Sequence, residues 1–353
     1  MTETPRARIR SRPTPACPLC GSPGRPCHRG LRDRVAPGPE EWALSRCVDG
    51  ACALLWLDPM PLEEDVGLAY PETYYTHGDE DAAPTWYRRA FRWLKQGYLA
   101  RRYGYRVEST PLGQRLLGLS VHLLPRRRRD VDASVMHLPF RPGGRLLEVG
   151  CGGGNVLRIL AELGWEAEGV DLDAAAVANA RSKGLTVHLG RLEEQGFEDG
   201  RFHAIVLSHV LEHVHDPRGL LAQCRRLLHP DGVLVLLTPN AEGLGHLVFG
   251  ASCFTLEPPR HLHIFNPSNL RRLVEGAGLR VTRLDTRSRG AAEYWALSRE
   301  VREKGRADPG RRRSRGERLG GFLFETAEAV LIAVRPRAGD EIRLLARAGS
   351  DRA

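Results

Sequence analysis

Lysine is nearly missing from this chain of 353 residues: Lys95, Lys183 and Lys304 stand almost alone against arginine among 52 basic residues. The net charge of +9 is therefore carried by arginine. Such a bias fits a GC-rich genome as well as a phosphate-bearing partner. Two clusters, Arg126–Arg129 and Arg311–Arg313, could meet phosphates. No aromatic residues interleave with them, so solvated loops are expected. Long apolar runs are missing too. Stretches such as Gly232–Leu237 fall far short of the ~20 residues of a membrane span, and no transmembrane segment is expected. The opening residues lack the apolar core of a signal peptide, which points to a cytoplasmic protein. At 42% hydrophobic, the chain can fill one large core and a small one.

Cysteine is present and unevenly spread. Five of the eight, Cys17, Cys20, Cys27, Cys47 and Cys52, fall in the first 52 residues. Without a secretory signal, a metal explains them better than disulfides. Cys17-Pro-Leu-Cys20 is a CxxC knuckle, and Cys47-x4-Cys52 supplies a second pair. Zinc takes four tetrahedral ligands, so Cys17, Cys20, Cys47 and Cys52 are the expected structural zinc site. Cys27 and His28 are spare candidates, and reduced cysteines without metal are the alternative.

Residues Arg145–Asp173 carry the strongest functional signal. Leu146, Leu147 and Val149 read as a strand buried on both faces. Gly150, Gly152, Gly153 and Gly154 follow, then a helix from Asn155 to about Leu163, then a strand near Glu166–Val170 that ends on Asp171. Glycines let the turn bend sharply and approach a ligand. A carboxylate at the strand end can accept both hydroxyls of a ribose. Beyond this, strands at 185–189, 202–207 and 233–237 alternate with helices at 174–182 and 218–228. That order predicts a doubly wound, Rossmann-like α/β sheet. Asn266 and Pro267 read as the cap and first residue of another helix.

The spacing Glu148-x-Gly150-x-Gly152-x-Gly154 differs from the nicotinamide fingerprint. It resembles motif I of the class I S-adenosylmethionine-dependent methyltransferases, and the resemblance extends from Arg145 to Ala348. Leu211-Glu212-His213-Val214 matches an element common among small-molecule O-methyltransferases of the ubiquinone-biosynthesis type, and Pro259–Phe265 resembles another. Arg191 departs from the family, which often places an aspartate there for the adenine amino group. His203 replaces the usual aspartate of the FDxVxx strand. The cysteine-rich leader, with Tyr74 and Tyr75, resembles a zinc ribbon found before many bacterial methyltransferases, and Ala53 stands where glycine is common.

The resemblance implies S-adenosylmethionine held by Glu148, Gly150, Cys151, Gly152, Gly154, Asp171, Leu172, Leu192, Ser208 and His209. It implies three regions: a disordered leader and zinc ribbon over 1–66, a helical connector over 67–134 ending in a linker at Pro125 and the arginine run, and a methyltransferase domain over 135–353 with an insertion near 288–338. The apolar helix in that insertion, near 321–334, is expected to pack on the domain or a partner chain rather than span a bilayer, with Glu325 and Glu328 interrupting it and a peripheral membrane contact through the neighbouring arginines as the alternative.

Methyl transfer to oxygen needs alignment and usually a base. His209, His213 and His261 are the candidate catalytic residues, with His263 beside them. One reading makes His209 or His261 a general base. A second gathers a divalent metal on His209, Glu212, His213 and His261. A third leaves Glu212 and His213 structural. The expected partner is a small-molecule acceptor. The alternatives are an RNA methyltransferase, against which the missing (N/D)PPY motif counts, and a non-catalytic module that uses the cofactor fold.

Overall fold

In the computed structural model, which describes residues 8–36, 38–70, 86–105 and 110–349, the chain divides into two units. The first comprises Met1–Tyr75, Ser208–Arg225 and Leu236–Ala353; the second comprises Thr76–Leu207 and Arg226–Val235. Tyr74, Tyr75, the first seven residues and the side chain of Trp86 lie outside the described residues.

The first unit begins with five short strands: β1 (Ser11–Arg12), β2 (Gly24–Leu31), β3 (Trp42–Cys47), β4 (Leu55–Leu57) and β5 (Met60–Pro61). β2, β3 and β4 form an antiparallel meander around Leu44, Leu55, Trp56 and Leu57, all fully buried. Ala53 adopts φ 45°, the left-handed turn conformation that explains why glycine suits this position.

The second unit opens with α1 (Trp86–Tyr103), α2 (Leu112–Leu117) and α3 (Pro125–Ser134). Tyr98 and Leu99 bury the inner face of α1, while Phe91 and Leu94 are half-buried. The linker expected at Pro125 is instead α3. Proline at its first position has no N–H to lose, and the following arginines are good helix formers.

Next come β6 (Arg145–Val149), α4 (Asn155–Glu162), β7 (Glu166–Asp171), α5 (Ala174–Ser182), β8 (Thr186–Leu189) and β9 (Phe202–Ser208). These strands are parallel, in the order β8-β7-β6-β9. In place of the usual aspartate on β9, His203 accepts the backbone N–H of Arg145 through Nδ1 at 3.1 Å, tying β9 to the start of β6. The Asp173 carboxylate caps α5 by accepting from the N–H groups of Ala175 and Ala176.

After α6 (Pro217–Leu227), β10 (Leu228–Pro239) runs next to β9 and then on to residues of the first unit. The strand expected over 233–237 begins earlier, at Leu228.

The rest of the first unit holds α7 (Leu244–Phe249), β11 (His263–Ile264), α8 (Pro267–Gly276), β12 (Leu279–Arg287), α9 (Ala291–Lys304), α10 (Arg315–Val334) and β13 (Glu341–Ala348). Its sheet order is β12-β13-β10, with β12 and β13 antiparallel. Asn266 caps α8 with Pro267 at its first turn, as the sequence predicts. β11 joins the N-terminal meander by pairing with β4, so the ribbon sheet reads β11-β4-β3-β2.

Arg311 and Arg313 are not solvated loop cations. Arg311 pairs with Glu317 at 2.6 Å, and Arg313 pairs with Glu293 at 2.7 Å and Glu300 at 3.1 Å. No helix among the described residues is long and apolar enough to cross a membrane.

Candidate functional site

The glycine turn of the second unit is held by its own strands. Gly150, Gly152 and Gly154 all have positive φ, at 68°, 51° and 76°. The Gly150 N–H donates to the Val170 carbonyl at 2.8 Å. Asp171 closes the turn: its carboxylate accepts the Gly152 N–H at 2.7 Å and the Asp173 N–H at 2.9 Å. Each oxygen keeps a lone pair for a further donor. A Cβ on Gly154 would lie 2.5 Å from Leu185, so the helix can start there only on glycine. Open space surrounds the corresponding position on Gly152, where a ligand can come close to the backbone. Cys151 is buried, its sulfur lying 2.6 Å from where a Cβ on Gly169 would stand, so it fills space beside β7. Burial pushes its thiol well above the ordinary range, away from nucleophilic chemistry.

Glu148 is buried on β6. Burial pushes its carboxyl up to about 8, and Asp171 adds to the shift against the Leu157 N–H. Its Oε2 has no hydrogen-bond partner among the described residues. Beside Asp171, Leu172 is 68% exposed, and Leu189, the β8 partner of Asp171, is 48% exposed. Two bare leucines flanking a carboxylate suit a flat base carried on a ribose. Leu192 is buried in the turn that follows β8. Arg191 is exposed, and its N–H donates to Glu194 at 2.8 Å.

The histidines belong to the first unit, as do Ser208 and the start of the segment that follows it. His209 has φ 56° and sits between two carboxylates, Nδ1 at 3.2 Å from Glu212 and Nε2 at 3.2 Å from Glu341. Burial alone would lower its pKa, but the two carboxylates outweigh that and raise it to about 10. It is an imidazolium at neutral pH, with both nitrogens donating. Glu212 is fully buried. Burial pushes it up, but the His209 hydrogen bond and the neighbouring histidines bring it down to about 2. Thr238 donates to its other oxygen at 2.9 Å.

His213 behaves oppositely. Burial, reinforced by His261, lowers it to about 4, so it is neutral at pH 7. Its Nδ1 lies 3.1 Å from the Arg260 carbonyl and 3.0 Å from the Tyr70 hydroxyl. A carbonyl only accepts, so Nδ1 carries the proton and Nε2 the lone pair. His261 is buried, its Nδ1 donating to the Thr255 carbonyl at 2.7 Å and its Nε2 3.6 Å from Glu257. The two rings stand edge to face, centroids 4.6 Å apart. One donor atom from each of Glu212, His213 and His261 lies within 4.8 Å of the others. His209, expected in the same group, is turned to its carboxylates. His263 is fully buried on β11.

The four cysteines converge as their spacing predicts. Cys17 and Cys52 sulfurs are 3.7 Å apart, and those of Cys20 and Cys47 are 3.4 Å apart. A tetrahedral zinc with bonds of roughly 2.3 Å separates its sulfurs by about 3.8 Å, so the set fits that ion. Cys27 lies on β2 outside the cluster, and His28 instead meets His246 at 2.9 Å between Nε2 atoms. The Cys52 carbonyl accepts from the side chains of Asn266 and Asn269 at 3.0 and 2.9 Å.

Several partners escape sequence reading. Arg260, wholly buried, makes a bidentate pair with Asp33 at 2.6 and 3.0 Å and a further bond to Glu257 at 3.0 Å. It fixes the carbonyl that His213 donates to. Glu341 and Tyr70 lie far along the chain from the histidines they meet, so no spacing signals them.

A family model described as "Methyltransferase domain" matches residues 124–284. A "Ubiquinone biosynthesis O-methyltransferase" of Methylococcus capsulatus is 33% identical over 150 residues, which cover 39% of this chain and 63% of the relative. One of the same name from Burkholderia pseudomallei is 31% identical over 175 residues, covering 46% of this chain and 74% of the relative. Among solved structures, a SAM-dependent methyltransferase from Archaeoglobus fulgidus aligns with a TM-score of 0.41 at 19% identity, covering 64% of this chain and 93% of that one.

Proposed function

The chain belongs to the S-adenosylmethionine-dependent methyltransferases of class I, and from that premise we propose that it methylates an oxygen atom of a small-molecule acceptor. The observation that carries this reading is neutral His213, whose Nε2 lone pair is held ready by the Arg260 carbonyl at Nδ1. Two relatives named as O-methyltransferases point the same way.

When bound, S-adenosylmethionine supplies an electrophilic methyl group on its sulfonium. Asp171 would accept the ribose hydroxyls, Leu172 and Leu189 would flank the adenine, and the backbone at Gly150, Cys151, Gly152 and Gly154 would line the amino-acid tail. Glu148 would hold the turn from beneath. With Arg191 exposed beside Glu194, the backbone around Leu192, or Glu193, would recognise the base. His213 would accept the acceptor hydroxyl proton at Nε2, and buried Glu212 and Glu257 would offset the charge it gains. His209 is already protonated, so it would orient Glu212 and leave the base role to His213 or His261.

A second reading is favoured by the convergence of Glu212, His213 and His261. Two imidazoles and a carboxylate are a donor set for a divalent cation, which would bind the acceptor oxygen and lower its pKa. Cys17, Cys20, Cys47 and Cys52 would hold one structural zinc.

The test is incubation of the purified protein with methyl-labelled cofactor, a panel of phenols and catechols, and RNA, followed by mass spectrometry. Label on a small-molecule oxygen is expected, and label confined to RNA overturns the acceptor class. Loss of turnover on chelation that leaves the cysteine-bound zinc in place, restored by a divalent ion, selects the metal reading over the base.

A further inference from the structure

Helix α10 is built with its acids inward and its apolar residues outward. Glu325 and Glu328 are buried, and Glu328 accepts the Asp340 N–H at 2.7 Å. Burial, with Asp340 beside it, pushes the Glu328 carboxyl well above the ordinary glutamate range. The opposite face carries Leu319, Phe322, Leu323, Val330 and Val334, recurring at the helical repeat. All five are exposed, Val334 by 75%. None of the helix's exposed residues is acidic, because Glu317 is turned to Arg311 and caps the helix start. The sequence predicts the two glutamates as interruptions of an apolar face; they lie on the other side of the helix.

The ends of this face are cationic. Arg315 and Arg318 stand in the first turns and Arg335 follows the last. None of the three forms an ion pair among the described residues. Arginine at a helix N-terminus opposes the helix dipole, so these two positions cost stability unless something outside the helix meets them. The apolar surface continues onto α7. Phe249 meets Phe324 of α10 at 6.2 Å between ring centroids, and Leu247 and Val248 beside it are exposed.

We infer that the outer face of α10, with Leu247 and Val248, is a docking surface for an anionic lipid bilayer. A helix of 20 residues is about 30 Å long and lies flat at the boundary, its leucines and valines in the acyl region and its terminal arginines at headgroup phosphates. A second copy of the chain fits less well. Antiparallel pairing sets Arg315 and Arg318 against Arg335, and parallel pairing sets each end against its like. The inference is independent of the acceptor and of the methyl transfer.

Co-sedimentation of the full chain with vesicles tests it. Binding is expected to phosphatidylglycerol mixed into phosphatidylcholine, weak binding to phosphatidylcholine alone, and loss at high salt. Replacing Arg315, Arg318 and Arg335 with alanine should weaken binding about a hundred-fold, roughly five-fold for each charge. Leu319→Ser with Leu323→Ser should abolish it. These positions are exposed, and an unchanged circular dichroism spectrum and melting curve show that the fold is kept. Absence of binding to anionic vesicles at low salt overturns the inference, as does binding indifferent to both sets of substitutions. A dimer that the leucine variant dissolves, in a protein that ignores vesicles, assigns the face to a second copy instead.

Discussion

The glycine turn of one unit and the histidine group of the other are built in opposite ways. The turn runs from Glu148 to Asp173 without a break, and the bonds that shape it, Gly150 N–H to Val170 and Gly152 and Asp173 N–H to Asp171, close within that stretch; from outside it Lys183 reaches the Gly153 carbonyl and the Gly190 N–H the Asp171 carbonyl. The histidine group takes Tyr70 from the segment after β5, His209–His213 from beyond β9, Thr255–His261 from before β11, and Glu341 from the last strand. The first can form from local sequence. The second exists only after distant strands have paired. Damage to the turn should therefore stay local, whereas the histidines should depend on everything that places their segments.

The largest effect expected from this contrast is at the cysteines. Zinc supplies roughly 10–16 kcal/mol of apparent binding energy to small zinc domains. Cys17→Ser with Cys52→Ser should lower bound zinc from about one per chain to near zero and disorganise β2–β4. Metal analysis and near-UV circular dichroism check this, and metal retained by the double variant would refute the ligand set. His213→Ala comes next. It should cut turnover about 10²–10⁴-fold while calorimetric affinity for S-adenosylmethionine changes little. Loss of cofactor affinity in that variant would break the comparison.

Asp171→Ala should weaken cofactor binding about ten- to a hundred-fold, the equivalent of roughly 1.5–3 kcal/mol of lost hydrogen bonding. The histidines should keep their titration in NMR spectra. The smallest effect concerns pH. The Glu148 carboxyl is raised to about 8 in the fold. Its contribution is fully present below the ordinary glutamate pKa and is lost as pH rises through 8. Melting temperature should therefore decline more between pH 5 and 9 in the native chain than in Glu148→Gln. Parallel curves would show that Glu148 does not titrate in this way.

The same contrast explains what could be read from the sequence. Periodicity and glycine spacing exposed β6–α4–β7, Asp171 and the capped α8 because each is decided by neighbours in the chain. Four cysteines at short spacings exposed their cluster for the same reason. The pairing of β11 with β4 left no trace, since two residues make no periodic signal. The protonation of His209 was also hidden: it depends on Glu341, which no spacing rule connects to it. α3 was obscured by its proline and arginines, which resemble a linker in composition and a helix start in position. The orientation of α10 could not be read because an apolar face and a face with two glutamates look alike until the partner side is known.

Strand β11 has one more consequence. Its residues extend the cysteine-bearing sheet, His261 lies two positions before it, and Asn266 just beyond holds the Cys52 carbonyl. The cysteine-bearing sheet is thus joined through β11 to the segment that carries His261, and binding at one would be coupled to binding at the other. By reciprocity, if the cysteines hold zinc and an acceptor orders His213 and His261, the acceptor would tighten the grip on zinc by the same factor that zinc tightens the grip on acceptor. Release of zinc to a chelator should then slow when acceptor is present, making a structural metal a reporter of the chemistry.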